Sequence, residues 1–573
     1  MNSSSLRGLN CFQVGNPVII HSLLKTLPLF HKPTKPSPYT PQHTQANTMD
    51  IWSWICELPN SLEWNESDSP PLMFQLASED NDNSTRSIHL KAERTSGSDS
   101  EAVVTFTVCL QGFHPHNAHK PLWVSEKCHL SSQNPFLPLL LQLLQEIISQ
   151  SPTAHDSTCP RSQLQKLKPD PIAWIMDSHT PESLSTFFNL VFTMRLFWLC
   201  GFHAPPEAGS LYFHSLLTPT LQTASSKLAS VLRTFFITVG VDTELCFMRT
   251  LGYIITKLHM IKELSVGLGL KTLLPSPRFS YATEAHGLWI LKGYAPVMTM
   301  KVARTNAQKS QFCGIDAKES ILRYALAHHQ LEAHVQIEYT VGFCDGFIQV
   351  RARVDNIRLH VARLGFNQND DVDFIEEKHF PSRIRVWVGP EIGATYCTGL
   401  SLGRSTENKE SEVEVQKVVK GNLEKSQGSN VIASARSSRR TRSKSWRMDQ
   451  DAEGNAAIFD AVLHDHTTGL EVGSWKPTGE AGDDHVHGLR GRYVKGNRAF
   501  TKSGSVVIAG DEYGEEVVWR LSKDMEGSVL KWRIGGEFWV SYLPNQAKCS
   551  SFETRYMEWC DEVDLPLIHP KAP

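Results

Sequence analysis

Residues 336–355 constrain the fold more than any other stretch of this 573-residue chain; they read QIEYTVGFCDGFIQVRARVD. An Asp-Gly pair such as Asp345-Gly346 suits a two-residue type I′ turn, because both central positions need positive φ. Folding the chain about that turn predicts Cys344 opposite Phe347, Val341 opposite Val350, Tyr339 opposite Ala352 and Ile337 opposite Val354. The other face then pairs Thr340 with Arg351, Glu338 with Arg353 and Gln336 with Asp355. One face is wholly apolar and the other wholly polar, so a one-residue slip would exchange them. A sheet with one oily face must bury it against a second layer. Ile357, Leu359 and Val361 continue the alternation and read as a third strand, with Arg358 and His360 on its polar side.

The same alternation recurs to the C-terminus, at 280–303, 383–388, 412–420, 456–476, 517–521, 530–534 and 538–542. Lys523 to Gly527 and Gly535-Gly536 read as turns, which makes the last three of these a meander. Residues 270–573 are therefore expected to form a large antiparallel β domain, a sandwich or a barrel, with a basic loop at 434–447. Upstream, residues 50–150 read as a small β-rich segment, with Ser87 to Glu93 and Ala102 to Leu110 as a strand pair. It closes on an amphipathic helix, Leu137 to Ser149, whose Leu140, Leu143, Leu144, Ile147 and Ile148 form one stripe. Residues 151–180 read as a linker, and 181–266 as a helical unit with a break at Gly240 to Asp242. The expected fold class is α+β.

The central helices raise a membrane-associated reading. Phe187 to Phe202 is apolar but sixteen residues long, short of the roughly 20 that a bilayer requires. Arg195 near its middle would cost about 2.5–3.5 kcal/mol on insertion scales. A buried helical unit is the better expectation. Residues 1–49 lack Asp and Glu altogether, where about five would be expected from the chain's average. Such acid-poor, hydroxyl-rich composition fits a plastid transit peptide, a plain disordered tail, or a start at Met49.

Composition narrows the function classes. Lys plus Arg number 57 and Asp plus Glu 60, so the whole protein is no polycation built to coat nucleic acid. The twelve cysteines contain no CxxC and read as reduced thiols of an intracellular protein, in cytoplasm, nucleus or plastid. No nucleophile elbow, P-loop or G-x-G-x-x-G after a strand occurs, so no cofactor is expected.

Two constellations remain. His464, His466, His485 and His487 form two His-x-His patterns; on a strand each pair projects from one face and can chelate Zn²⁺ or Fe²⁺. They define a metal-dependent hydrolase or oxygenase as one alternative. Arg351, Arg353, Arg358, Arg383 and Arg385 form a basic strand face, and Arg439, Arg440 and Arg442 lie in the Arg/Ser segment "SARSSRRTRSKSWR". Together they suggest a site for an anionic protein, a lipid headgroup or RNA.

Residues 379–568, through "HFPSRIRVWVGPEIGATY", "DQDAEGNAAIFDAVL" and "GDEYGEEVVWRLSKDMEGSVLKWRIGG", resemble a land-plant family of uncharacterised proteins. The resemblance implies a plant source and brings no activity, cofactor or site residue. The preferred expectation is a non-enzymatic binding or scaffold protein that engages an anionic partner through its basic residues.

Overall fold

The computed structural model describes residues 50–59, 70–81, 84–96, 102–113, 121–154, 166–221, 229–266, 279–300, 302–303, 326–365, 374–375, 379–403, 411–423, 431–443, 446–464, 506–509, 516–542 and 553–569. The expectations for residues 1–49 and for His466, His485 and His487 lie outside the described residues.

The fold is α+β with antiparallel sheets. Helix α1 (Ile51–Cys56) is capped by Asp50, whose carboxylate accepts from the backbone N–H of Trp52 (3.1 Å) and Ser53 (3.3 Å). The same carboxylate accepts from the Ser185 hydroxyl (2.5 Å), tying the cap to the helices downstream. Strands β1 (Leu72–Asn81), β2 (Ser84–Ser96) and β3 (Ala102–Gln111) form a sheet that β4 (Trp123–Val124) and β5 (Cys128–His129) join along β3. Val104, Phe106 and Val108 are fully buried on its inner face, as their spacing predicts. Helix α2 (Leu137–Ser149) has the expected bounds and buries the expected stripe.

Two units expected to be separate share one core. The inner face of the β1–β5 sheet, α2 and the apolar helix α4 (Pro181–Trp198) belong to a single hydrophobic cluster. The 151–180 linker is also more structured than its polarity suggests. Its strand β6 (Thr153–Ala154) pairs with Leu364 and Gly365, and its helix α3 (Pro169–Ser178) buries Ile172 and Ile175. Two buried apolar positions in ten give too weak a periodicity to register against that background.

Helix α4 is buried nearly all round and continues as a π turn, Leu199–His203. It is long and apolar enough to cross a membrane, yet 89% of that window is buried inside the protein. Helices α5 (Pro206–Leu211), α6 (Ala229–Val239) and α7 (Val241–Val266) complete the unit. The break between α6 and α7 falls at Gly240, whose φ of +90° is readily open only to glycine.

The C-terminal strands, in chain order, are β7 (Phe279–Ala285), β8 (Leu288–Met300), β9 (Val302–Ala303), β10 (Leu326–Phe343), β11 (Phe347–Gly365), β12 (Phe374–Ile375), β13 (His379–Pro390) and β14 (Cys397–Ser401). They continue as β15 (Ser411–Leu423), β16 (Val431–Ser443), β17 (Trp446–Glu453), β18 (Ala456–Leu463), β19 (Val506–Ala509), β20 (Val517–Ser522), β21 (Val529–Tyr542) and β22 (Glu553–Pro566). One sheet runs β14-β20-β11-β10-β8-β7, and a second runs β17-β18-β13-β21-β22. Their inner faces share one core, in which Trp532 lies 5.6 Å from Trp289 and 5.3 Å from Trp519 between ring centroids. No sheet among the described residues closes into a barrel, so of the two expected arrangements the sandwich is the one formed.

The β10–β11 hairpin adopts the expected register from Val341↔Val350 to Ile337↔Val354, and Gln336 then pairs with Asn356 where Asp355 was expected. A bulge absorbs Asp355. It also moves the buried positions from Val350, Ala352 and Val354 to Ile357, Leu359 and Val361. These last three therefore lie on β11 itself, and not on a third strand. The C-terminal meander is likewise corrected. Strands β20 and β21 belong to different sheets, so Lys523 to Gly527 carries the chain across the sandwich. Gly535 and Gly536 do not turn the chain: they sit mid-strand in β21. A Cβ on Gly535 would lie 2.2 Å from the Trp387 indole, and one on Gly536 would lie 2.6 Å from the Phe538 ring. These glycines make room for aromatic rings on the two faces of the strand.

Candidate functional site

The basic strand face is not one surface. Arg351, Arg353 and Arg358 stand on β11 in the first sheet, and Arg383 and Arg385 on β13 in the second. Each set alternates with residues of the shared core, so the two point out of opposite sides of the sandwich. Most of these cations are also committed. Arg353 donates to Glu338 (2.6 and 2.7 Å), and Arg383 forms a bidentate pair with Asp460 (2.5 and 2.9 Å) over the Trp539 ring. Arg385 lies 3.3 Å from the buried Glu537, and Arg351 lies 3.8 Å from Glu516. Arg358 is exposed. Strand sequence alone shows the alternation of arginines but not the acids that the neighbouring strands bring to them.

The Arg/Ser segment expected as a loop at 434–447 is corrected by the structure: Val431–Ser443 is strand β16, and Trp446 already opens β17. β16 pairs with β15 over thirteen residues as a separate two-stranded sheet. Residues 411–443 hold seven cations and three acids, a net +4 in a chain whose total is −3. The register sets Glu412 opposite Arg442 and Glu414 opposite Arg440, while Arg436 stands opposite Val418 and Arg439 opposite Val415. Lys417 and Lys420 stand opposite Ser437 and Ser434. Among the described residues, acids stand in register opposite arginines at one end of the ribbon only.

Of the histidines expected to bind metal, His464 follows the end of β18, with Nδ1 3.1 Å from the Val462 carbonyl oxygen. No group of three or more His, Cys, Asp or Glu residues suited to a metal ion occurs among the described residues.

A largely buried polar seam joins the helices to both sheets of the sandwich. The Glu244 carboxylate on α7 accepts from Lys292 Nζ (2.7 Å) and Tyr294 Oη (2.5 Å) of β8. Arg249 forms a bidentate pair with Glu332 of β10 (2.7 and 3.1 Å), and Arg233 of α6 meets Asp561 of β22 (2.8 Å). Beside the seam, His334 of β10 is opposite Arg358 in register. Burial, then the nearby Lys292 and Arg358 charges, push its pKa down to about 4.

The unfolded-state value of His334 lies near 6.5, so between pH 6.5 and 4 the unfolded chain binds more protons than the folded one. Stability is therefore expected to fall as pH drops through that window, by up to about 3 kcal/mol near pH 4. Urea titrations at successive pH values should show this decline, and His334→Gln should flatten it. An equal slope in the variant would assign the decline to other groups.

No family model and no curated protein matches the chain. Solved structures with some likeness include Clostridium perfringens delta-toxin, at 8% identity and TM-score 0.21 over 50% of this chain and 96% of that one. The Clostridium perfringens NetB toxin in its membrane-inserted form shows 9% identity and TM-score 0.15, over 50% of this chain and 94% of its own. A structure described as a pore forming protein shows 8% identity and TM-score 0.17, over 50% and 90% of the respective chains. At these TM-scores the likeness carries no argument.

Proposed function

We propose that the protein is a non-enzymatic binding protein whose β15–β16 ribbon engages an acidic, extended segment of a partner protein. The observation that carries this reading is the ribbon itself, two thirteen-residue strands paired with each other and with no other described strand. An outer strand edge presents a row of unpaired backbone N–H and C=O groups, which an extended peptide can extend by one strand. Acids on the incoming strand would answer Arg436 and Arg439, whose register partners on β15 are valines. Residues 411–443 contain no Phe, Tyr, Trp or His, so the ribbon offers no platform for nucleic-acid bases and no aromatic anchor for a lipid interface.

The test is fluorescence anisotropy with the full chain and a labelled peptide of Glu-Glu-Val-Val repeats, which sets acids on both faces of a strand because Arg436 and Arg439, three positions apart, lie on opposite faces. Saturable binding is expected, at least tenfold weaker for Arg436→Glu/Arg439→Glu and weakening with salt. Affinity unchanged by the double reversal contradicts the reading. Binding of RNA or of phosphatidylserine vesicles, but not the peptide, with the same sensitivity to the reversal contradicts it as well.

A further inference from the structure

A second feature lies at one end of the second sheet, on its outer face and separate from the ribbon. The turn after β13 and the turn between β17 and β18 meet there around a cavity of about 300 Å³. That is the lower end of the range for small-molecule sites. Trp387, Ile458 and Ala456 contribute apolar wall, while Glu391, Glu453 and Arg533 bring charge.

The backbone of the two turns, Arg533 and Trp387 are held without a ligand, while the Glu391 and Glu453 side chains are exposed. Asn455 Nδ2 donates to the Ala394 carbonyl (3.2 Å), and the Asn455 carbonyl accepts from the buried Trp519 indole N–H (2.8 Å), so one residue ties both turns to the core. Arg533 Nε donates to the Pro390 carbonyl (3.1 Å), pinning the end of β13. Trp387 lies flush against Gly535, where any side chain would collide with the indole. A backbone held this way orders little on binding, which lowers the entropic cost of taking up a ligand.

The chemistry of the lining selects a ligand class. Glu391 and Glu453 are balanced by Arg533 and by Arg385, which lies 3.8 Å from Glu453, so the site has no net positive charge to draw an anion such as phosphate. The Arg533 guanidinium in turn opposes a cation, and the mixed polarity is wasted on a purely apolar molecule. A neutral polyhydroxyl compound satisfies all three kinds of group. Each carboxylate can accept from two hydroxyls and the guanidinium can donate to ring or hydroxyl oxygens, while a C–H face rests on apolar wall. We propose that this cavity is a binding site for a neutral saccharide of one or two rings.

The experiment is isothermal titration of the full chain with glucose, galactose, mannose, N-acetylglucosamine and their β-linked disaccharides, with tetramethylammonium chloride and inorganic phosphate alongside. At least one neutral sugar should bind with a Kd in the millimolar range or tighter, about −4 kcal/mol or better. Glu391→Gln keeps the shape of the side chain and removes its charge, and should weaken that sugar at least fivefold. Glu391→Gln/Glu453→Gln should abolish binding, and Arg353→Gln, on the other sheet, should leave it unchanged. Circular dichroism identical to the parent shows that the variants fold. No sugar bound at about 50 mM overturns the proposal, at a concentration well above a millimolar Kd. Tighter binding of tetramethylammonium or phosphate, or sugar binding indifferent to the double substitution, overturns it too. The ribbon proposal is untouched by any of these results.

Discussion

Glu332→Ala is expected to destabilise the protein by about 3–5 kcal/mol, because it leaves the Arg249 guanidinium buried without its bidentate acid. Arg249 and Glu332 are 12% and 13% exposed, so little water can replace the lost carboxylate. Burial acts against the charge on Arg249 and the Glu332 pair more than restores it, holding its pKa above the ordinary value. The pair also has a mechanical role, since it spans from α7 to β10 and docks the helical unit on the sandwich. Removing both charges in Arg249→Leu/Glu332→Leu should recover most of the loss, as replacement of a buried pair by apolar residues is often near neutral. Urea denaturation measures both. A single variant within about 1 kcal/mol of the parent would mean that water reaches the seam and screens the charge.

Trp532→Ala should cost about 3–5 kcal/mol by the usual penalty for emptying a large aromatic site. Trp532 is fully buried and packs against Trp289 and Trp519, which come from the opposite sheet. The cavity would open between two layers that are each held by continuous strand pairing, so neither can collapse to fill it. Trp174→Ala offers the contrast. That ring is 53% exposed on α3, and its loss should fall within about ±0.5 kcal/mol. If both substitutions cost the same in denaturant titrations, the tryptophan cluster does not hold the sandwich together.

The sequence made local pairing legible and tertiary pairing illegible. The β10–β11 register followed from one Asp-Gly turn and the alternation on either side of it. Even the bulge was written there: buried positions run even through Val354 and odd from Ile357, and such a parity switch signals an inserted residue. Gly535-Gly536 misled because glycine marks turns and close ring contacts alike, and the deciding ring, Trp387, stands 148 positions earlier on the neighbouring strand. The partners of Arg383 and Arg385 were equally hidden, since Asp460 and Glu537 reach them only once β18 and β21 flank β13. The Arg/Ser segment looked like a loop because serine and arginine carry little strand propensity, and its pairing with β15 overrides that. Asn455 sits in a turn that Gly454-Asn455 could signal, but nothing in the sequence showed that it pins the second turn and the Trp519 indole.

Hydrogen–deuterium exchange of the full chain, with and without the Glu/Val peptide at saturation, tests the central claim most directly. Addition of a strand to the ribbon predicts slowed exchange of β16 amides within 431–443, with the sandwich strands unchanged. Slowed exchange elsewhere with 431–443 unaffected, or no change anywhere, would contradict it.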